Sequence, residues 1–389
     1  MFELLFLLLP VAVAYGWFMG RNSVKQKDQR DKDNLTVKYS TGLNYLLSNQ
    51  QDKAMEFLLE ALSVEEDTVE AHFAMANLFR KRGELDRALQ VHEHLARQPE
   101  LSDLQKRQAL FELGRDFYTA GLYDRAEKLF LKLSKTANYG HKSLSYLMQI
   151  YQSTKDWQKG VDLEKIIVKT QEKKLLHTLA NFYCELATQA FEQKQYQLEL
   201  ELLQKALTHD PMSSRANYLM AQVFEKNQQY NQACECYKKI FYQDREFFPE
   251  VIDKMRAVYQ RSDKPDEFYP FIYEVFEKSR STTALITYLE HIEATESKAK
   301  AEEFILHALN RRPTIRGFKH FVKMQRSSAQ DETTAKSLDV ITEMVAAYIN
   351  VRPRYRCRSC GFNSTVHYWS CPSCHDWEQL KPVRGLEGE

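Results

Sequence analysis

Four cysteines near the end of the 389-residue chain carry its clearest chemistry. They lie in Tyr355-Arg-Cys357-Arg-Ser-Cys360-Gly361-Phe362 and Trp369-Ser-Cys371-Pro372-Ser-Cys374-His375-Asp-Trp377, two Cys-x2-Cys knuckles separated by ten residues. Each knuckle can place two thiolates on one ion, and together they complete a tetrahedral site with no open position. Gly361 suits the positive dihedral that turns backbone amides toward sulfur. A segment of about 25 residues is too small to fold on apolar burial, and a structural zinc, worth roughly 10–16 kcal/mol, supplies the missing stability. A tetrathiolate accepts zinc or iron, and one zinc ion is expected at Cys357, Cys360, Cys371 and Cys374. His367 and His375 are nearby, but four thiolates fill the shell without them.

The other candidates carry less. Cys184, Cys234 and Cys236 fall inside helical stretches, and the last two point in different directions, so all three read as packing residues. His92-Glu93-His94 resembles half of a zinc-protease motif, but position 96 is Ala. Arg352, Arg354, Arg356 and Arg358 crowd the first knuckle. They could meet nucleic acid, but a chain with 54 basic and 53 acidic residues favours an acidic protein surface or a solvated loop. There is no P-loop, nucleophile elbow or glycine-rich dinucleotide turn, so neither catalytic nor cofactor-binding residues are assigned.

The scaffold that must position the knuckles is a repeat. From Arg107 to Gly140, Leu110, Leu113, Gly114 and Phe117 fall at helical spacing; after Gly121 so do Ala126, Phe130 and Leu133. Two short amphipathic helices joined by a tight turn are the tetratricopeptide unit of about 34 residues, which must stack on copies of itself to bury its apolar face. Small residues at Gly114 and Ala126 let the two helices touch. The second-helix position recurs as Ala54, Ala88, Ala126, Gly160, Glu199, Ala233, Phe268 and Ala301. Glu199 and Phe268 depart from the small-residue rule. A helix from Ser337 to Asn350 is expected to close the array.

Before the repeats, Phe2 to Met19 holds only one ionisable side chain, Glu3. As a helix it would span about 27 Å, close to the hydrocarbon core of a bilayer. Basic residues follow it at Arg21, Lys25, Lys27, Arg30 and Lys32, which predicts a cytoplasmic body with the amino terminus on the far side of the membrane. A cleaved signal is the competing reading, and the missing basic flank at the start argues against it. A reducing compartment follows, and it disfavours disulfide or redox pairing of the knuckles. The expected fold class is all-α: a tetratricopeptide-repeat solenoid over 35–350, an anchor over 1–20, a tether over 21–34 and a metal knuckle domain over 351–389.

This order of anchor, repeats and four-cysteine domain resembles the lipopolysaccharide assembly protein B family of Gram-negative bacteria. The likeness rests on Met1 to Met19, the eight units, and Cys357, Cys360, Cys371 and Cys374, in a domain described for that family as rubredoxin-like. The resemblance implies a non-enzymatic inner-membrane adaptor. It would promote proteolysis, by a membrane-bound AAA+ zinc protease, of the deacetylase that commits precursor to lipid A. The resemblance also implies links to an opposing regulatory inner-membrane protein and to the lipopolysaccharide transport machinery. No nucleic acid is expected, and self-association is left open. The rival functions are an iron electron carrier docked on repeats and an RNA-binding ribbon.

Overall fold

In a computed structural model of the protein, residues 15–21, 23, 41, 44–45 and 69–389 are described. The anchor through residue 14, most of the tether, and the repeat position Ala54 lie outside them. Residues 15–21 are helical, and no helix among the described residues is long and apolar enough to cross a membrane. The chain divides into two compact units, Met1–Ile150 and Tyr151–Glu389.

Unit one holds α1 (Val69–Lys81), α2 (Leu85–Arg97), α3 (Asp103–Thr119) and α4 (Tyr123–Leu133), and α5 (Gly140–Thr154) runs into unit two. Each first helix packs on its second: α1 on α2, α3 on α4. A Cβ added at Gly114 would lie 2.8 Å from Cε1 of Phe130, so the approach of α3 to α4 does require glycine there. Ser102 starts α3 with a full capping box to Gln105.

Unit two continues with α6 (Trp157–Asp162), α7 (Glu164–Thr170), α8 (Lys173–Glu192), α9 (Tyr196–His209), α10 (Ser214–Lys226) and α11 (Tyr230–Gln243). After a 3-10 turn come α12 (Ile252–Tyr259), α13 (Phe268–Ser279), α14 (Thr282–Thr295), α15 (Lys298–Arg311), α16 (Ile315–Ser328) and α17 (Glu332–Val351). The array thus ends in a complete helical pair, α16 with α17, where the sequence reading found only the second helix. Gly317 lets α16 close on Leu309 of α15: a Cβ there would sit 2.9 Å from its Cδ2. The metal domain adds β1 (Tyr355–Cys357), β2 (Asn363–Ser364) and β3 (Leu380–Pro382), an antiparallel sheet in the order β2-β1-β3.

Among the described residues, the turn between first and second helix uses one backbone device five times. Gly83, Gly121, Lys155, Lys194 and Gln228 all have positive φ, from 59° to 82°. Glycine adopts this conformation freely and a side chain does not. Lys194→Gly should therefore stabilise unit two by about 0.5–1 kcal/mol after the entropy that glycine adds to the unfolded chain. Chemical denaturation of the two proteins measures the difference, and a destabilised variant would refute the strain.

Glu199 occupies the small-residue position of α9 and is 3% exposed. Its Oε2 has no hydrogen-bond partner among the described residues. Burial pushes its carboxyl up to about 7, with Lys226 opposing. Because the folded value lies above the ordinary 4.5, stability present below that pH is lost as pH rises through about 7. Glu199→Ala should add about 1–3 kcal/mol at pH 8 and much less near pH 4.5, read from unfolding curves at both values. Phe268, the other departure, is buried against Tyr259, with ring centroids 5.6 Å apart.

Candidate metal centre and its docking face

Both knuckles fold by the same local rule. After Cys360 the chain turns through Gly361 at φ 78°, and after Cys374 through His375 at φ 60°. Cys357 N donates to Phe362 O and Gly361 N to Cys357 O; Cys371 N donates to Asp376 O and His375 N to Cys371 O. The Phe362 amide points at the Cys360 sulfur and draws that thiol below its ordinary value. Burial raises the Cys374 thiol, with the Asp376 amide opposing. Amides aimed at sulfur favour thiolate, the form a metal needs.

The four sulfurs lie within 4.8 Å of one another. Cys357 is 3.7 Å from Cys374, and Cys360 is 3.7 Å from Cys371, sulfur to sulfur. Zinc–sulfur bonds in a tetrahedron would separate sulfurs by about 3.8 Å, so the set fits one zinc ion. Tyr355, Cys357, Cys371 and Leu380, with Phe362 and Cys374 against them, are the small core around it. The two histidines stand apart from the sulfur set. His375 is exposed at its turn, and His367 packs among Phe247, Tyr355 and Trp369, where burial holds its imidazole down at about 4.

The metal domain lies on the first helices of unit two. Trp377 is buried against Trp157 and Phe182, and the Arg215 guanidinium sits 5.1 Å from its ring centroid. Glu378 is buried at the amino end of α10. Its Oε1 accepts from Ser213 Oγ at 3.0 Å and Asn181 Nδ2 at 3.2 Å; its Oε2 accepts from Ser214 Oγ at 2.7 Å and Arg215 N at 3.3 Å. Glu389 repeats the motif at α14, accepting from Ser281 Oγ at 2.8 Å, Thr283 N at 3.2 Å and Thr283 Oγ1. Burial pushes its carboxyl up, but Arg316 and these hydrogen bonds outweigh burial and hold it below the ordinary range. Helix amino termini carry partial positive charge, which is why carboxylates serve at both places.

The arginines near the first knuckle meet the chain's own acids. Arg354 pairs with Glu250 and Arg358 with Glu246, each at 2.9 Å; Lys381 adds Asp244, and Tyr355 donates to Glu250 at 2.7 Å. Arg352 lies 3.5 Å from Glu387, and Arg356 donates to Asn363 at 2.9 Å. For Arg354 and Arg358 the acidic partner is therefore the chain's own segment between α11 and α12. Cys184, Cys234 and Cys236 are buried in helices, and burial raises all three thiols. His92 is buried with its Nδ1 on Asp116, which Arg80 also bonds at 2.7 Å. The partial protease motif is thus part of a polar network inside unit one. Sequence reasoning missed Asn181, Ser213, Ser214 and Arg215, whose partners lie 163 to 197 residues away.

Helical pairs at tetratricopeptide spacing, carrying a closed four-sulfur knuckle on their first helices, define a repeat scaffold with a structural metal ribbon. Residues 355–382 match the family described as rubredoxin metal binding domain, a zinc ribbon, and residues 214–247 match the tetratricopeptide repeat. The chain is 40% identical over 388 residues to lipopolysaccharide assembly protein B of Escherichia coli K12, and 35% identical over 396 residues to that of Haemophilus influenzae Rd. All of each sequence is covered. The chain belongs to the lipopolysaccharide assembly protein B family. A solved tetratricopeptide protein from Parabacteroides merdae is similar at 16% identity, covering 72% of this chain and 99% of its own, with a TM-score of 0.34.

Proposed function

We propose that the protein is a non-enzymatic adaptor of lipopolysaccharide synthesis, held at the cytoplasmic face of the inner membrane by residues 1–20. In this reading it presents the committed-step deacetylase of lipid A synthesis to a membrane AAA+ protease. An opposing inner-membrane regulator restrains it, and it connects to the lipopolysaccharide transport machinery. Domain limits of 1–20, 21–34, 35–350 and 351–389 go with this reading.

The observation that carries it is the closed metal site. All four positions of the tetrahedron are cysteine sulfur, and the ribbon around them is seated on repeat helices, so the ion fixes a shape and offers no coordination place to a substrate. Stacked repeats supply what an adaptor needs, extended surface for other chains. Membrane anchoring would raise the effective concentration of partners in the same bilayer without new contacts.

A pull-down from membranes followed by mass spectrometry, comparing the intact protein with the Cys357→Ser/Cys360→Ser variant, tests the proposal. The intact protein should capture the protease and the deacetylase, and the variant should lose at least one. Capture of neither by the intact protein would overturn the adaptor reading.

A further inference from the structure

A cavity of about 220 Å³ in unit two opens between the carboxyl ends of α13 and α15 and the amino ends of α14 and α16. Arg280, Arg311 and Arg312 stand in its wall beside a single acid, Glu277. Arg312 is held in place: its Nη1 donates to the carbonyl of Arg280 at 2.6 Å and its Nη2 to the backbone oxygen of Glu389 at 2.8 Å. Arg280 and Arg311 are exposed, and among the described residues neither guanidinium has an ion pair or hydrogen bond. Elsewhere in unit two the repeat arginines meet acids, Arg215 with Glu185, Arg256 with Glu290 and Arg326 with Asp339.

Helix dipoles do not account for the cluster. Two carboxyl ends and two amino ends meet here, each equivalent to about half a charge, and they cancel. The side chain of Glu389, at the start of α14, is already paired with Arg316. Arg384 adds a further charge and donates only to the carbonyl of Arg245, at 3.2 Å. Burial lowers the Arg312 guanidinium, and Arg384 and Arg280 lower it further against the opposing pull of Glu389. With Arg312 satisfied by its two oxygens, Arg280, Arg311 and Arg384 against Glu277 leave two positive charges without a counterion. A phosphomonoester carries about −1.5 to −2 at pH 7, and planar guanidinium forks bind phosphate oxygens in pairs.

The rest of the wall says what the phosphate is attached to. Tyr273 and Phe276 have their ring centroids 6.5 and 5.6 Å from that of Phe304, an apolar side to a charged cavity. At 220 Å³ the space is below the roughly 300–1,000 Å³ of pockets for drug-sized ligands, so it holds a phosphate with a short organic part. We propose that this cavity binds a phosphomonoester, its phosphate on Arg280 and Arg311 and its organic part against Phe304. A soluble phosphate ester and a lipid headgroup share that chemistry. The site stands independently of the adaptor reading.

The test is calorimetric titration of the full chain with phenyl phosphate, which should bind saturably at pH 7.5. Arg280→Gln/Arg311→Gln should weaken binding roughly thirtyfold, and Glu277→Gln should strengthen it about threefold. All three side chains are exposed, so unfolding curves of the variants should match the intact protein. Benzoate, the same ring with one charge, should bind about tenfold more weakly than phenyl phosphate. Sedimentation with phosphatidylcholine vesicles, with and without phosphatidic acid, separates the two sources. Extra retention by phosphatidic acid that the double variant loses identifies a lipid headgroup; binding of phenyl phosphate without that gain identifies a soluble ester. The proposal is overturned if neither probe binds, if the double variant binds as the intact protein does, or if benzoate binds as tightly as phenyl phosphate.

Discussion

Replacing Cys357 and Cys360 together by serine will release the metal and unfold residues 355–382 while leaving the repeat helices largely formed. The ribbon has three strands of two or three residues each and only a handful of buried side chains, Tyr355, Cys357, Cys371, Trp377 and Leu380 among them. Apolar burial on that scale is too little to order a ribbon of this length, since fixing each residue costs about 1–2 kcal/mol. Metal coordination, at roughly 10–16 kcal/mol, is what the fold depends on. Metal content by elemental analysis should fall from one ion per chain to none. Emission of Trp369 and Trp377 should shift to the red as they leave the helices, and amides of the ribbon should lose hydrogen-exchange protection. Helical circular dichroism should change little, because the helices make their hydrogen bonds internally. A variant that keeps protected ribbon amides without metal would show that packing alone holds the domain. The colour of the purified protein adds a second reading at no cost: a zinc protein is colourless, whereas ferric tetrathiolate is red and would favour electron transfer at the exposed edge near Cys360.

Local chemistry was legible in the sequence and distant chemistry was not. The cysteine spacing located the ligands because each knuckle is a contact between residues three apart, and Gly361 marked its turn by its lack of a side chain. The equivalent turn at His375 carried no such mark, because a non-glycine residue in that conformation looks ordinary in sequence. Repeat units were visible where small residues mark close helix approach, as at Gly114, Ala126 and Ala233. The pair that ends the array was half missed. Its first helix, α16, is rich in arginine, lysine and histidine, so it read as a polar stretch. Serines 213 and 281 could have been read as helix caps. That carboxylates from a domain over a hundred residues away would join them had no local trace. Polar residues on inner faces, Asn181 and Arg215, were the only hint of a buried partner.

Glu378→Ala should loosen the ribbon from the helices without releasing the metal, which separates docking from coordination. The carboxylate accepts four hydrogen bonds, at 2.7 to 3.3 Å, on the positive end of α10. Removing it leaves two hydroxyls, an amide group and a backbone N–H without that partner in a dry site, a loss of about 3 kcal/mol after allowing for the carboxylate's own desolvation. Alanine keeps the left-handed backbone that Glu378 already adopts at φ 55°, so the comparison reports the carboxylate and not the turn. The undocked population should rise roughly a hundredfold, seen as equally faster hydrogen exchange at the ribbon's interface amides with metal content unchanged. Glu378→Gln, which retains one acceptor oxygen and no charge, should fall between the two. By contrast, Arg354→Ala removes an ion pair whose arginine is 62% exposed, and should cost no more than about 1 kcal/mol, shrinking further in salt. If Arg354→Ala loosens the ribbon more than Glu378→Ala does, docking is governed by the rim charges, and the buried carboxylate at the helix terminus is incidental.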